Sequence, residues 1–301
     1  MKKYGIPYQG SKNKILGQIC RYFPKADHFY DIFGGGFSVT HFMAENRAND
    51  YKEFHYNEIR KDVPRLIKDA IKGRYSYSSF KPEWISREDF NRKKDTDAYV
   101  ACCWSFGNNF KYYLFSPENE KTKKSLHNAV VFNVFDDFAK DFFGFNCFPV
   151  GFDCIKKRRL YINQVTRERG GDNIDLQQLQ QLQQLERLGQ LERLEQLGEK
   201  ITLHSKDYRD IRIKKNSIIY LDPPYIGTAD YGSSFNHKEF YDWAASIDEP
   251  VFISEYSLDD SRFFKIANFK KRSLMSRSGV NNIKDEGLWV NKKARSILLK
   301  R

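Results

Sequence analysis

The sequence predicts an α/β fold built around a doubly wound, mostly parallel β-sheet. Two segments carry this prediction, because each places an apolar strand directly before a turn. The first is Phe29 to Phe33, which leads through Gly34 to Gly36 into Ser38 to Glu45, a segment of helical character. The second is Ser217 to Leu221, a β-prone strand, and Val251 to Ser254 is similar in character. Strands that alternate with helices are typical of a parallel sheet with helices on both faces.

The remaining elements of the sheet are predicted from shorter patterns. Phe54 to Tyr56 is expected to form a strand, and Ile59 to Gly73 is expected to be a helix because its apolar residues recur at helical spacing. Ser296 to Leu299 is expected to be the last strand. In sheets of this type, ligands bind beyond the carboxyl ends of the strands, so the residues after each strand are the candidates for a site.

The chain is strongly basic, with 51 lysines and arginines against 39 acidic residues and a net charge of +12. A protein that lies on a phosphate backbone needs such charge, because each neutralised phosphate releases a counterion. A basic surface that is merely solvated is the alternative. Lys156, Lys157, Arg158 and Arg159 form one of several basic groups with aromatic residues near them. This mixture favours nucleic acid as the partner.

Cysteine usage and hydropathy exclude several classes of protein. The chain has five cysteines, an odd number, and none forms a C-x-x-C pair, so we expect neither a disulfide framework nor a zinc site. A reducing compartment fits this pattern better than an oxidising one. The first ten residues lack the apolar region of a signal peptide, and no apolar run is long enough to cross a bilayer. We therefore expect a cytoplasmic protein without a membrane partner.

The middle of the chain differs in character from both ends. Residues 75–169 are rich in aromatic residues, lysine and asparagine, and their poor periodicity predicts an irregular, partly helical subdomain. Within it, Trp104 to Phe115 has a Gly-Asn centre that predicts a turn between two aromatic arms. Residues 170–200 contain leucine at every third position, which does not stay on one face of an α-helix. We expect this repeat to be a spacer or a surface insert.

The most specific motif is Asp222-Pro223-Pro224-Tyr225, which follows the strand Ser217 to Leu221. Two prolines fix the backbone and remove two amide donors, so nearby carbonyls and the Asp222 carboxylate can accept hydrogen bonds from a substrate amino group. Tyr225 offers a flat face on which a base can stack. A rigid structural turn is the alternative reading of the same residues.

Two further motifs favour a bound cofactor. Asp31-Ile32-Phe33-Gly34-Gly35-Gly36 follows a strand, and glycines there allow the backbone to approach a ligand closely. Glu58 follows the next strand and could accept ribose hydroxyl groups. Tyr8 to Lys12 combines a glycine-serine turn with a lysine that could reach a carboxylate. A plain strand-to-helix turn and a disordered basic start are the alternatives.

These motifs, in this order, resemble the Dam-like adenine-N6 DNA methyltransferases of the alpha arrangement. The resemblance rests on Tyr8 to Lys12, Asp31 to Gly36, Asn57-Glu58 and Asp222 to Tyr225, and it is weak across the middle of the chain. It implies a catalytic domain over residues 1–74 and 201–301, a target-recognition subdomain over 75–169 and an inserted repeat over 170–200. Tyr8 stands where a tryptophan is common, and Glu58 replaces an aspartate.

The resemblance also implies roles for individual residues. S-adenosyl-L-methionine would be the cofactor, and Asp222, Pro223, Pro224 and Tyr225 would hold the target adenine. The residues expected to line the cofactor pocket are Tyr8, Gly10, Lys12, Asp31, Phe33, Gly34, Gly36, Glu58, Asp207, Tyr208 and Asp222. The absence of a Pro-Cys pair agrees with direct transfer to an amine, because attack on carbon 5 of cytosine requires a cysteine nucleophile.

The partner expected from these motifs is double-stranded DNA, bound by a monomer that needs no metal, in a bacterial or phage-infected cell. Asn108, Asn109 and Lys111 are candidates for base contacts by residue type, together with the basic group Lys156 to Arg159. A polar turn is an equally good reading of the first three. A cytosine-N4 methyltransferase, an inactive DNA-binding module on the same fold, and methylation of RNA or protein are the alternative functions.

Overall fold

The computed structural model describes residues 2–168, 182–198, 200–225, 235–272 and 283–300. The chain divides into two compact units. The first unit comprises Met1–Gly5, Gly10–Pro64 and Leu197–Arg301, and the second comprises Ile6–Gln9 and Arg65–Gln196. The divisions after Pro64 and Gln196 lie ten and four residues before the boundaries expected after residues 74 and 200, and the assignment of Ile6–Gln9 to the second unit was not expected. In the described residues, no helix combines the length and apolar character that crossing a bilayer requires.

The first unit contains a seven-stranded sheet with strand order β3-β2-β1-β4-β5-β7-β6. Five neighbouring strands, from β3 to β5, pair in parallel, and β7 pairs antiparallel with both β5 and β6. The predicted mostly parallel α/β sheet is thereby confirmed. The strands are β1 His28–Asp31, β2 Glu53–Asn57, β3 Ile201–His204, β4 Ser217–Leu221, β5 Val251–Glu255, β6 Phe263–Arg272 and β7 Ile283–Asn291.

Helices cover both faces of this sheet. The helices of the first unit are α1 Leu16–Cys20, α2 Ser38–Asn46, α10 His237–Ser246 and α11 Lys292–Leu298, and α3 Asp62–Ile71 continues into the second unit. Every residue of β4 is buried. Ile218 and Tyr220 belong to one apolar core, whereas Ile219 and Leu221 belong to the other. This alternation explains why β4 reads as a continuous apolar run, since parallel strands are buried on both faces.

The end of the chain differs from the prediction. Ser296 to Leu299 was expected to be a strand, but it lies in helix α11 and the residue after it. Asn291 begins this helix, because its side-chain oxygen accepts a hydrogen bond from the Ala294 amide at 3.0 Å. The last strands are instead the antiparallel pair β6 and β7, which places the buried Glu286 within the sheet.

Parallel pairing gathers the candidate site residues at one edge of the sheet. Asp31 ends β1 and pairs in register with Tyr220, so Asp31 and Asp222 follow neighbouring strands at the same edge. Asn57 ends β2, and its side-chain amide donates to the Ile32 and Lys206 carbonyls. The carboxyl edge of the sheet therefore holds residues that are far apart in sequence, as expected for this class of fold.

The second unit is mainly helical, whereas its poor periodicity predicted an irregular, partly helical subdomain. Its helices are α4 Arg87–Lys93, α5 Ala98–Trp104, α6 Pro117–Phe132, α7 Asp137–Phe143, α8 Ile155–Glu168 and α9 Gln183–Glu192. Short helices that bury aromatic residues on several sides do not show a single apolar stripe, which explains the misleading pattern. The turn expected within Trp104 to Phe115 is present, because Ser105 and Tyr113 form an antiparallel bridge around it.

The leucine repeat is part of the core of the second unit where the structure describes it, not a spacer or surface insert. All six described leucines of the repeat are buried: Leu182, Leu185, Leu188, Leu191, Leu194 and Leu197. Helix α9 is only ten residues long, and a 3₁₀ segment, Arg193–Gln196, follows it. A 3₁₀ helix has about three residues per turn, so a period of three stays on one face there.

Polar contacts also fix the repeat within the second unit. The Arg187 guanidinium donates to the carbonyls of Cys103 at 2.9 Å and Ser105 at 2.6 Å, at the end of α5. Gly189 lies against Tyr77, and a β-carbon at this position would be 2.9 Å from the Tyr77 hydroxyl. Helix α9 is therefore held by its buried leucines, by a buried cation and by a close approach that needs glycine.

Replacing Leu188 with alanine is expected to lower the free energy of unfolding of the second unit by about 2–5 kcal/mol, because the side chain is 0% exposed and its loss leaves a cavity. Leu160→Ala is the matched control, since Leu160 is 61% exposed and should change the value by less than about 0.5 kcal/mol. Urea denaturation followed by circular dichroism measures both. Equal effects of the two substitutions would contradict the buried position of the repeat.

Candidate active site

The Asp222-Pro223-Pro224-Tyr225 segment leaves the sheet directly after β4. Two prolines in sequence restrict the backbone, and the His237 imidazole donates to the Pro224 carbonyl at 2.8 Å. Pro223 is buried, whereas Asp222 and Tyr225 are half-buried. The segment is therefore held rigidly at the carboxyl edge while its acidic and aromatic side chains remain accessible.

Tyr225 belongs to a network of four side chains, in which Lys12, Asp222 and Glu286 contact its hydroxyl. The Lys12 ammonium lies 2.6 Å from Asp222 Oδ2 and 3.3 Å from Glu286 Oε1, and it donates to the Tyr225 hydroxyl at 2.7 Å. The Tyr225 hydroxyl is 2.8 Å from Asp222 Oδ1 and 3.0 Å from Glu286 Oε1. Its single proton can be donated to only one of these carboxylates at a time. The network joins the N-terminal segment, the end of β4 and strand β7.

Burial makes the charges of this network depend on one another. Lys12 is 4% exposed and Glu286 is 0% exposed. Although burial acts to lower the pKa of Lys12, that pKa lies above its ordinary value because Asp222 and Glu286 stabilise the ammonium. Burial raises the pKa of Asp222, the Lys12 charge opposes this rise, and the Glu286 charge adds to it. The lysine is therefore a fixed cation between the buried Glu286 carboxyl group and the partly buried Asp222 carboxyl group.

Asp31 provides a further buried acceptor beside this network. It is 1% exposed, and its Oδ2 accepts hydrogen bonds from the Thr40 amide at 3.3 Å and the Thr40 hydroxyl at 2.8 Å. Its Oδ1 is buried without a hydrogen-bond partner. Burial raises the pKa of Asp31 to about 7. A buried carboxylate oxygen of this kind is costly unless a ligand donates to it or brings a positive charge.

The glycines after β1 allow a close approach within the protein as well as to a ligand. A β-carbon on Gly34 would lie 2.2 Å from the Tyr56 ring, so no larger residue fits there. The Gly35 amide donates to Glu58 Oε2 at 3.1 Å, and the Arg60 amide donates to Glu58 Oε1 at 3.0 Å. Burial raises the pKa of Glu58. Glu58 thus fixes the glycine turn, and each of its oxygens keeps a second lone pair for a ligand.

Phe33 and Tyr208 are 175 residues apart in the sequence, but their side chains are in contact. Their ring centroids are 5.5 Å apart, and Phe240 lies 5.4 Å from Phe33. Asp207 precedes Tyr208, and its carboxylate accepts hydrogen bonds from the Arg209 guanidinium and amide. These aromatic faces lie beyond the carboxyl ends of the sheet, where a flat ligand can pack against them.

Three other predicted cofactor residues have different surroundings. Gly10 has a φ of 83°, and nothing lies within 4 Å of a β-carbon built on it, so the position requires a left-handed conformation and faces open space. Gly36 belongs to the first unit, and its carbonyl would lie 2.1 Å from a β-carbon on Gly5. Tyr8 belongs to the second unit, where its ring packs edge-on against Phe110 at 5.1 Å.

Glu286 and Tyr256 also contact Tyr225, and neither was predicted from the sequence. Glu286 lies on β7, and Tyr256 directly follows β5 and packs edge-on against Tyr225 with ring centroids 4.5 Å apart. Neither residue belongs to a recognisable motif, and the antiparallel addition of β7 to the sheet was not predicted. An acidic residue in an apolar segment, E-G-L-W-V, was the one available signal for Glu286, because a buried carboxylate needs a partner.

The candidate DNA-contacting residues lie in the second unit, and their surroundings differ. Asn109 Oδ1 accepts hydrogen bonds from the amides of Lys111 and Tyr112, so this side chain closes the turn. The Asn108 carbonyl accepts from the Gln9 amide, and Asn108 itself has a φ of 57°. Lys111 is exposed. Both asparagines therefore have a structural role in the turn that presents Lys111.

The basic group Lys156 to Arg159 is divided by helix α8. Lys156 and Lys157 are exposed, and Lys157 forms an ion pair with Asp153 at 2.8 Å. Arg159 is half-buried and donates to the Tyr77 hydroxyl at 3.0 Å. These three side chains reach the surface to different extents, and the lysines are the most accessible.

Arg158 is wrongly included among the DNA-contacting residues, because it is only 6% exposed. Its guanidinium donates to the carbonyls of Val130, Val131 and Phe152 at 3.1, 2.7 and 2.8 Å. Two of these carbonyls belong to the last turn of α6, where helical carbonyls lack intrahelical partners. Arg158 therefore stabilises the end of a helix. Helix α8 turns successive residues toward solvent or toward the core. A run of four basic residues does not show which of them faces the core, so the burial of Arg158 could not be predicted from it.

Comparison with known proteins agrees with this arrangement. Residues 8–256 match the family model described as D12 class N6 adenine-specific DNA methyltransferase. The Type II methyltransferase M.FokI of Planomicrobium okeanokoites is 30% identical over 125 residues, which are 36% of this chain. The match covers 19% of that relative, so the chain spans only part of its length. Because the family model covers most of the chain and includes each of the motifs described above, the chain belongs to the D12 class of N6 adenine-specific DNA methyltransferases.

Proposed function

We propose that this chain transfers a methyl group from S-adenosyl-L-methionine to the exocyclic amino nitrogen of adenine in DNA. The observation that carries the proposal is the network of Lys12, Asp222, Tyr225 and Glu286 at the carboxyl edge of the sheet. It provides carboxylate acceptors and an aromatic face beside a proline-restricted backbone. These are the groups that an amino-bearing base requires.

The charges at this edge support a cationic cofactor. Asp31 and Glu286 are buried acidic residues, Asp222 is partly buried, and the buried Lys12 contacts Asp222 and Glu286. S-adenosyl-L-methionine carries a sulfonium and an ammonium group, and it supplies the electrophilic methyl group when bound. Asp31 Oδ1 is oriented as an acceptor without a partner, which fits the ammonium group. Phe33 and Tyr208 fit the cofactor adenine, and Glu58 fits the ribose hydroxyl groups.

The chain's own residues then orient the target. The base has to leave the duplex, because its amino group is otherwise inaccessible to an enzyme group. Asp222 and the Pro223 carbonyl accept the two amino hydrogens, which directs the nitrogen lone pair away from them. The Tyr225 ring stacks on the base. Asp222 also stabilises the positive charge that develops on the nitrogen during transfer, and burial strengthens this effect.

The network constrains Tyr225 before a base arrives. Its hydroxyl lies within 3.0 Å of Lys12, Asp222 and Glu286, so the orientation of the ring is fixed by three contacts. A ring held in advance loses little conformational entropy when a base stacks on it. We therefore assign Glu286 a positioning role, because it touches Tyr225 and Lys12.

The alternative functions make different demands on the same residues. An aspartate before Pro-Pro-Tyr favours adenine over cytosine as the target, and the family to which the chain belongs is named for adenine N6. Digesting the methylated product to nucleosides separates the two amines. Failure to bind S-adenosyl-L-methionine would instead support an inactive DNA-binding module, and assays with RNA and protein substrates separate the remaining alternatives.

The second unit is proposed to provide contacts with double-stranded DNA. Lys156 and Lys157 are exposed on the first turn of α8, and Lys111 is exposed on the turn that the two asparagines form. Cations on a surface attract the phosphate backbone irrespective of sequence. We propose that a monomer binds one duplex, in the DNA-containing compartment of a bacterial or phage-infected cell, without a metal ion in the reaction.

The direct test of this function is sequencing with detection of modified bases in DNA from cells that produce the chain. We expect N6-methyladenine at a defined sequence, and Asp222→Ala should remove it, because alanine offers no acceptor for the target amino group and no negative charge beside Lys12. The purified variant should remain folded, with the circular dichroism spectrum of the wild type, although the loss of a partner for the buried Lys12 should lower its unfolding temperature. Methylation by the variant at the wild-type rate would show that Asp222 does not hold the target.

Glu286→Gln is expected to lower kcat by about 10- to 100-fold, because Tyr225 and Lys12 lose a charged partner and the target is positioned less well. The substitution should also lower the pKa of Asp222, since the Glu286 charge raises it. Activity needs ionised Asp222, so the acidic limb of the pH–kcat profile should move to lower pH. An unchanged limb would contradict electrostatic contact between these two carboxyl groups.

Replacing Lys156 and Lys157 together with alanine is expected to weaken DNA binding and to reduce the dependence of log Kd on log salt by about 1.8, if each lysine neutralises one phosphate. Lys121→Ala with Lys124→Ala is the matched control on helix α6, which offers two lysines outside the proposed surface. Fluorescence anisotropy with a labelled duplex measures both. The same loss in both pairs of variants would indicate general attraction without a defined surface.

A further inference from the structure

Three side chains outside the active site meet at the opposite edge of the sheet. His28 begins β1, Glu53 begins β2, and His55 follows two residues later on β2. Because β1 and β2 are parallel and His28 pairs in register with Glu53, all three lie near the amino ends of the strands. The active-site residues follow the carboxyl ends, so this cluster is separate from them. None of its members contributes to the proposed transfer.

The three potential ligand atoms form a nearly equilateral triangle. His28 Nδ1 is 3.2 Å from Glu53 Oε2, His55 Nε2 is 3.3 Å from the same oxygen, and the two nitrogens are 3.4 Å apart. An ion that binds tetrahedrally at 2.0–2.1 Å holds its ligand atoms about 3.3–3.4 Å apart. The triangle therefore has the dimensions of one face of a tetrahedral zinc site.

We propose that His28, Glu53 and His55 bind a divalent transition-metal ion of the zinc class. Two imidazoles and one carboxylate suit this class, whereas magnesium and calcium prefer oxygen ligands alone. The Glu53 side chain is 42% exposed, so water can complete the coordination. The ion joins the starts of two neighbouring strands and stabilises the first unit.

The surroundings of His55 orient its imidazole. Its ring stacks on the Tyr30 ring at a centroid distance of 4.2 Å, and the His204 ring stacks against it at 5.9 Å. Residues that fix the orientation of a ligating histidine raise the affinity of the site, because less motion is lost on binding. The side chain of His55 is 6% exposed, so one ligand is already held in place.

Lys214 opposes the proposed ion. Its ammonium lies 2.6 Å from Glu53 Oε2, so it supplies a positive charge to the same oxygen. The lysine and glutamate side chains are 51% and 42% exposed, and an exposed ion pair of this kind contributes little to stability. The long lysine side chain can therefore leave when a dication arrives. Lys214 acts as a competing cation, which gives the proposal a specific consequence.

Isothermal titration of the full chain with Zn²⁺ tests the proposal. We expect one ion per chain with a Kd in the micromolar range or below, and a visible absorption spectrum typical of tetrahedral coordination when Co²⁺ replaces Zn²⁺. His28→Asn and Glu53→Gln should each weaken binding by more than about tenfold, because even the loss of an outer partner of a metal ligand costs roughly 10- to 100-fold. Lys214→Gln should strengthen binding.

Controls separate this site from other metal-binding groups. Cys147 is exposed and could bind Zn²⁺ through its thiol, so Cys147→Ser should leave the Kd unchanged. Zn²⁺ should raise the unfolding temperature of the wild type but not of His28→Asn. In the absence of metal, the two proteins should unfold at similar temperatures, because His28 is the first residue of β1, its side chain is only partly buried, and asparagine is also polar. Equal Zn²⁺ affinity of the wild type and His28→Asn, or no binding by the wild type, would overturn the proposal.

Discussion

The Lys12 ammonium is almost excluded from solvent and contacts Asp222, Glu286 and the Tyr225 hydroxyl. Burial of a cation is costly unless opposite charges surround it, and burial of two carboxylates is costly unless a cation lies between them. Each member of the network therefore needs the others. This mutual dependence connects the N-terminal segment, the end of β4 and strand β7, and it fixes the acidic corner against which a target base is proposed to lie.

The balance of buried charges also favours binding of the proposed cofactor at this edge of the sheet. Asp31 and Asp222 lie at one edge of the sheet because β1 and β4 are parallel neighbours. Water is partly excluded there, so the electrostatic interactions of these carboxylates with a ligand are stronger than in bulk water. Lys12 compensates for only part of this negative charge. A cationic ligand therefore binds more favourably than an anionic one. Loss of the sulfonium charge after methyl transfer would weaken the interaction, which favours release of the product.

The second unit shows how composition can mislead. Its leucine repeat has the regularity of a low-complexity linker, yet each described leucine is buried. Leu185, Leu188 and Leu191 lie on the ten-residue helix α9, which is short enough for them to stay near one face, and Leu194 lies in the 3₁₀ segment that follows. Arg158 shows that a charged residue within a basic run can also be buried. It stands among exposed basic residues in the sequence but donates to the carbonyls at the end of α6. Burial depends on the face of the helix, which four consecutive basic residues do not reveal.

The sequence alone determined the mostly parallel sheet, the glycine turn after β1 and the acidic proline segment after β4, because these depend on local patterns of apolar strands and turn residues. Only the tertiary structure determined which side chains contact the residues of these motifs. Glu286 reaches Tyr225 through an antiparallel strand near the end of the chain, and His28 meets Glu53 and His55 through parallel pairing. Contacts of this kind join residues that are distant in sequence, so no local pattern records them.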